Sequence, residues 1–212
     1  MKKLLGIVAI SVLAASAFAQ GTVVFQNITG TVQQWTSATD PALISVAKGG
    51  GFVELLAAPS GTALASSLVS VTAGGAAVNY SSLEGFLAAN PGWAAVSGAI
   101  TGLGNPVAGY FSGGTVTIGN IAAGASAEYT VIGWTGSAAT FDAALAASGT
   151  FFGQSPMFTT GTGDPTATPP GTATSLKTTF TGMVLAPVVP EPATFALAGL
   201  GLAALLVFRR RS

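Results

Sequence analysis

The chain has 212 residues, with 7 basic and 7 acidic side chains and neither cysteine nor histidine. The missing cysteines exclude disulfide staples, and the missing histidines exclude Ser-His-Asp and Cys-His catalysis and every histidine-ligated metal site. The net charge of zero hides an uneven spread: between Gln20 and Val189, Lys48 and Lys177 stand against Asp40, Glu54, Glu84, Glu128, Asp142 and Asp164, so two bases minus six acids gives −4, which argues against nucleic acid as a partner.

In chain order, the first segment has the layout of a secretory signal peptide. Lys2 and Lys3 form a positive region, Leu4 to Leu13 an apolar region, and Ala17-Phe18-Ala19 a small-x-small cleavage site. Signal peptidase is the partner this implies, cutting between Ala19 and Gln20. The mature chain then starts at Gln20, outside the inner membrane. The roughly 170 residues that follow suffice for one domain with a real core.

That body is rich in Gly, Ala, Thr and Ser. Short apolar-alternating runs are separated by Gly, Pro and Asn, the pattern of an antiparallel sandwich or jelly roll. Strands are predicted at Thr22–Asn27, Thr31–Trp35, Gly51–Ala57, Ser66–Thr72, Ala108–Ile118, Ala127–Thr135, Pro156–Thr159 and Thr178–Leu185. In Ala127–Thr135 both alternating sets carry apolar residues, so this strand is expected to be covered on both faces.

Two short helices interrupt the strands. Ser81-Ser82-Leu83-Glu84 has capping-box spacing from Ser81 to Glu84, with a helix running to Ala89 and ended by Asn90-Pro91-Gly92. The second follows Thr140 as N-cap, with Asp142 in its first turn and Gly149 as its stop. Thr159 to Thr174 reads as a loop. Asn27-Ile28-Thr29 and Asn79-Tyr80-Ser81 match the N-glycosylation sequon, which a chance match explains better.

Candidate chemistry is sparse. Glycoside hydrolysis needs two carboxylates across a cleft. Glu54, Glu84, Glu128 and Asp142 are available in number, but no motif positions them, and they are expected to be solvated surface acids. No catalytic residue, metal site or cofactor is expected. Trp134, inside an apolar strand, reads as core. Trp93, after Pro91-Gly92 in a loop-like stretch, is the best candidate for an exposed ring that stacks on a sugar.

The C-terminus is the most informative part. Val189-Pro190-Glu191-Pro192 precedes Ala193–Phe208, a 16-residue segment without a charge, and then Arg209, Arg210 and Arg211. As a helix the apolar segment covers roughly 24 Å, a little short of a ~30 Å hydrocarbon core. The arginines can snorkel to make up the difference, and under the positive-inside rule they hold this end in the cytoplasm. The prolines bias Glu191 toward an extended conformation that loses little entropy on entering an enzyme groove.

A secretory signal paired with Pro190, Glu191 and Pro192, an apolar helix and an arginine stop resembles the PEP-CTERM sorting signal of Gram-negative bacteria that make exopolysaccharide. The resemblance implies a membrane-embedded enzyme of cysteine transpeptidase type, exosortase, that recognises the motif and removes the tail. The usual family version continues with a small hydroxyl residue and an aromatic; here Ala193 and Thr194 precede Phe195. The body is more loosely similar to a recurrent PEP-CTERM type, through Gly21–Asn27, Val53–Leu56 with Pro59-Ser60-Gly61, a strand ending in Trp, and Gly153-Gln154-Ser155. That likeness implies a β-sandwich and no known activity.

The expected architecture is therefore mainly β. A single antiparallel sandwich or jelly-roll-like domain over 20–187 carries one or two short helices, after a signal helix over 1–19 and before a sorting signal with a transmembrane helix over 188–212. The expected role is that of an exported, exosortase-sorted surface protein that is not an enzyme. It is held transiently or permanently in membrane lipid by its C-terminal helix, and its body is structural or adhesive in an extracellular polysaccharide matrix. The alternatives are a carbohydrate-binding module and a permanently anchored single-pass protein.

Overall fold

Which faces a strand buries decides how many layers can pack on it, and the central strand here buries both. The structure is a computed structural model that describes residues 19–188. Its strands are β1 (Gln20–Gln26), β2 (Val32–Ser37), β3 (Asp40–Ser45), β4 (Gly51–Pro59), β5 (Val69–Thr72) and β6 (Gly75–Val78), then helix α1 (Leu83–Ala89). There follow β7 (Ala94–Gly102), β8 (Ser112–Ala122), β9 (Ser126–Thr135), helix α2 (Phe141–Leu145), β10 (Phe151–Gln154), β11 (Phe158–Gly161), β12 (Thr174–Ser175) and β13 (Met183–Pro187).

The main sheet runs β3-β2-β13-β10-β9-β4-β7. β10 and β11 pair in succession with the same edge of β9. Between them Ser155 mends the ladder: its amide donates to the Val131 carbonyl at 2.8 Å, and its hydroxyl accepts from the Val131 amide at 2.9 Å. Gly153 is required because β13 passes directly over it; a Cβ there would lie 2.1 Å from the Val184 carbonyl oxygen. The Gly153-Gln154-Ser155 segment is thus explained by packing.

One face of this sheet packs on a small sheet of order β12-β1-β8. Val23 and Phe25 of β1 and Val116 and Ile118 of β8 meet Val53, Leu55, Tyr129 and Val131 from the odd positions of β4 and β9. The even positions, Leu56, Ala58, Ile132 and Trp134, form a second core with Phe86 of α1, Phe141 and Ala144 of α2, and Val69 and Ala76 of the β5–β6 hairpin. The result has three layers where a sandwich has two. Both-face burial of β9 agrees with its sequence pattern.

The helices are too short to hold their shape alone. Seven and five residues long, they persist because Phe86 and Phe141 are buried on the sheet, each contributing roughly 1.5–3 kcal/mol. Trp134 is fully buried, stacked 6.1 Å from Phe52 and edge-on to Phe141 at 6.0 Å.

The sheets are mainly antiparallel, with two parallel ladders, β1–β12 and β2–β13, that the sequence pattern does not announce. Five strands lie outside the predicted ones: β3, β6, β7, β10 and β12. The predicted Thr178–Leu185 strand is shortened, since Leu176–Thr178 forms a 3-10 turn and extended pairing starts at Met183. Helix α1 is capped by Ser82, whose side chain accepts from the Gly85 amide, one residue later than the Ser81 capping box predicts. Helix α2 has Thr140 as its cap as expected but ends at Leu145, before Gly149.

Candidate functional site

The last described strand, β13, brings the chain to the surface at Val188. β13 lies inside the main sheet between β2 and β10. Just after it, Val188 forms a parallel bridge with Ala76 of β6 and is 41 % exposed. Val189, Pro190, Glu191 and Pro192, the apolar segment Ala193–Phe208, and Arg209, Arg210 and Arg211 lie outside the described residues. So does Ala17 of the expected cleavage site. Ala19 is half-buried, its carbonyl accepting from the Ala123 amide at 2.7 Å, and Gln20 opens β1. Among the described residues no helix is long and apolar enough to cross a membrane.

The carboxylates are not all solvated, contrary to expectation. Glu54 is 6 % exposed and Glu128 7 %, whereas Glu84 and Asp142 are exposed. Glu128 accepts from the Gly61 amide at 3.1 Å and from the Thr159 hydroxyl, so it ties the β4 turn to β11. Glu54 takes no hydrogen bond among the described residues. Burial first, and then the nearby Asp142 carboxylate, push it up to about 7. Asp142 in turn accepts from the Leu83 amide at 2.8 Å, joining the start of α2 to the start of α1. Glu54 and Asp142 are thus neighbours, but neither lines the groove beside the β2–β3 hairpin. The signal for a buried Glu54 was available: it interrupts an otherwise apolar run, Phe52–Ala58.

Trp93, the best candidate for an exposed ring, is buried, with 5 % of its surface exposed. Its indole N–H donates to the Ala63 carbonyl at 3.2 Å, and the ring belongs to the core under the helices. A ring so placed has no free face for a sugar. Asn27 is likewise structural and 3 % exposed, its side chain bonded to Gly30, Gly109 and Phe111, so its sequon is inaccessible.

A groove of about 710 Å³ lies between the β2–β3 hairpin, the start of β13 and the end of β5. Gln33, Trp35, Leu43, Thr72, Gln154 and Met183 are among its walls, and among the described residues none that lines it is ionisable. It offers amides, hydroxyls and apolar surface, but no acid or base. Gln154 is already engaged: its carbonyl accepts from Leu68 and Val69, and its amide donates to the Thr130 hydroxyl. Gln33 makes no side-chain hydrogen bond among the described residues. No cluster of three or more potential metal ligands occurs among the described residues. Of the residues the sequence singled out as chemistry none lines this groove, because its walls come from five stretches of chain, Thr29–Trp35, Pro41–Leu43, Val71–Ala73, Gln154–Pro156 and Thr181–Val184.

The family model described as the PEP-CTERM protein-sorting motif matches residues 188–211. Comparisons with curated proteins and with solved structures find no match. The C-terminal segment is therefore a protein-sorting motif, and it begins at the residue that ends the described fold.

Proposed function

We propose that this chain is exported, then sorted through its C-terminal segment by an exosortase-type membrane enzyme. Its body then acts without catalysis as a structural or adhesive element in an extracellular polysaccharide matrix. The observation that carries this reading is the sorting motif starting at Val188, directly after the last strand. By sequence, Pro190 and Pro192 bias Glu191 toward an extended backbone, and Glu191 is the motif's one acid, available to a basic partner. The uncharged groove and the buried setting of Glu54 and Glu128 support a body that works through its surface. Mass spectrometry of the mature protein tests the proposal. A C-terminus near Pro190 to Pro192 is expected; a chain still ending at Ser212 makes it a permanently anchored protein instead.

A second reading, a carbohydrate-binding body, draws on the groove and no longer on Trp93. A lining of amides, hydroxyls and apolar side chains without charge suits a neutral glycan. Affinity electrophoresis in neutral polysaccharide gels checks it. Retardation that Gln33→Ala abolishes supports the reading, and unretarded migration ends it.

A further inference from the structure

Strand β3 ends the main sheet, and all six of its residues are exposed. At the sheet's other end β7 is accompanied by β8, where the Thr101 hydroxyl donates to the Ser112 carbonyl at 3.4 Å. Among the described residues nothing covers either face of β3. Leu43 is 46 % exposed on the groove side, opposite Trp35, and Ile44 is 45 % exposed on the reverse side, opposite Gln34.

The ladder fixes which backbone groups are free. Val46 donates its amide to the Val32 carbonyl at 3.1 Å, and Ile44 stands opposite Gln34 in the same register. By antiparallel alternation, the amides and carbonyls of even residues point to β2, and those of Leu43 and Ser45 point outward. Natural edges are commonly blocked by lysine, proline or a captured amide. Here the block covers only the start, where Pro41 has no N–H. From Leu43 to Ser45 no charge and no proline intervenes.

We infer that β3 pairs antiparallel with β3 of a second copy of this chain, about a twofold axis at Leu43. In that register each Leu43 amide donates to the other Leu43 carbonyl, and each Ser45 amide donates to the opposite Pro41 carbonyl. Pro41 needs no donor partner, so the residue that blocks other pairings fits this one. Ala42 stands opposite Ile44, small against large, and Asp40 lies beyond the paired residues, so no like charges meet. A register moved two residues toward the C-terminus pairs only Leu43 to Ser45 within the strand, whereas this one uses Pro41 to Ser45. A second copy is chosen as partner because the strand is complementary to itself in hydrogen bonding, side-chain size and charge. The main sheet would then continue across the axis.

The chain's lack of cysteine makes the test clean. In the proposed register, residue 43 faces its own copy at a Cα separation of about 5.5 Å, within disulfide range. Residue 45 is offset from its copy by roughly 13 Å, out of range. Full-length chain carrying Leu43→Cys is expected to shift to twice the monomer mass on mild oxidation in its membrane, while Ser45→Cys stays monomeric. Adding Ser45→Pro to the Leu43→Cys chain removes an outward amide without touching the β2 ladder, and is expected to abolish the dimer. All these sites are exposed, so the chain keeps its fold, which circular dichroism verifies. A monomeric Leu43→Cys chain, equal cross-linking of both variants, or a cross-link to a protein of different mass would overturn the inference.

Discussion

Glu54 is the residue whose protonation state matters most to the body. It sits 6 % exposed on β4 without a hydrogen bond among the described residues, next to Asp142. Its folded-state value of about 7 lies above the ordinary 4.5, so the folded chain holds this proton more tightly than the unfolded one. The stability it contributes is complete below about pH 4.5 and is lost as pH rises through 7. A shift of this size corresponds to about 3 kcal/mol. The melting temperature is therefore expected to fall between pH 5 and pH 8, and Glu54→Gln should flatten that dependence and raise stability at pH 8. An unchanged slope in the Gln variant would show that another group titrates. The other buried carboxylate, Glu128, accepts hydrogen bonds from the Gly61 amide and the Thr159 hydroxyl.

Among the elements, the short helices give the sharpest comparison of sequence with structure. Ser81 and Ser82 are equally good caps by type, and the Ser81–Glu84 spacing favours the first. Packing decides for the second: seating Phe86 against Tyr80 and the sheet places Ser82 where its hydroxyl meets the Gly85 amide at 3.0 Å. Ser82→Ala is expected to cost about 1 kcal/mol in thermal or denaturant unfolding, and Ser81→Ala close to nothing. Strands divide in the same way. β4 and β9 are legible because continuous apolar runs mark strands buried on both faces. β3 is hidden because an exposed edge needs no alternation and here contains Pro41. β7 is hidden because alanines and glycines carry little strand preference. The parallel ladders are set by long-range topology, which no local pattern encodes.

At the scale of the whole molecule, the two ends and the body divide the legible from the illegible. The C-terminal signal could be read because it is contiguous: proline, acid, apolar run and arginines follow one another within 24 matched residues. The groove could not, because Thr29–Trp35, Pro41–Leu43, Val71–Ala73, Gln154–Pro156 and Thr181–Val184 meet only through the fold. Trp93 made a candidate for the related reason that Pro91-Gly92 marks a turn, and a turn can fold its next residue inward. The third layer, helices and hairpin over the even face of β4 and β9, explains both outcomes: it buries Trp93, and its β5 end walls the groove.

The position of β13 has a mechanical consequence. The sorting motif starts where this strand ends, and β13 is held on one side by β2 in parallel and on the other by β10 in antiparallel register. Tension applied through the C-terminal segment first meets the Val188–Ala76 bridge and then pulls β13 along its own axis. The hydrogen bonds of both ladders are then loaded together in shear. An edge strand such as β3, peeled sideways, would surrender its bonds one after another. A body tethered by this end is coupled to its attachment through one of the sheet's interior strands, the geometry suited to bearing a load.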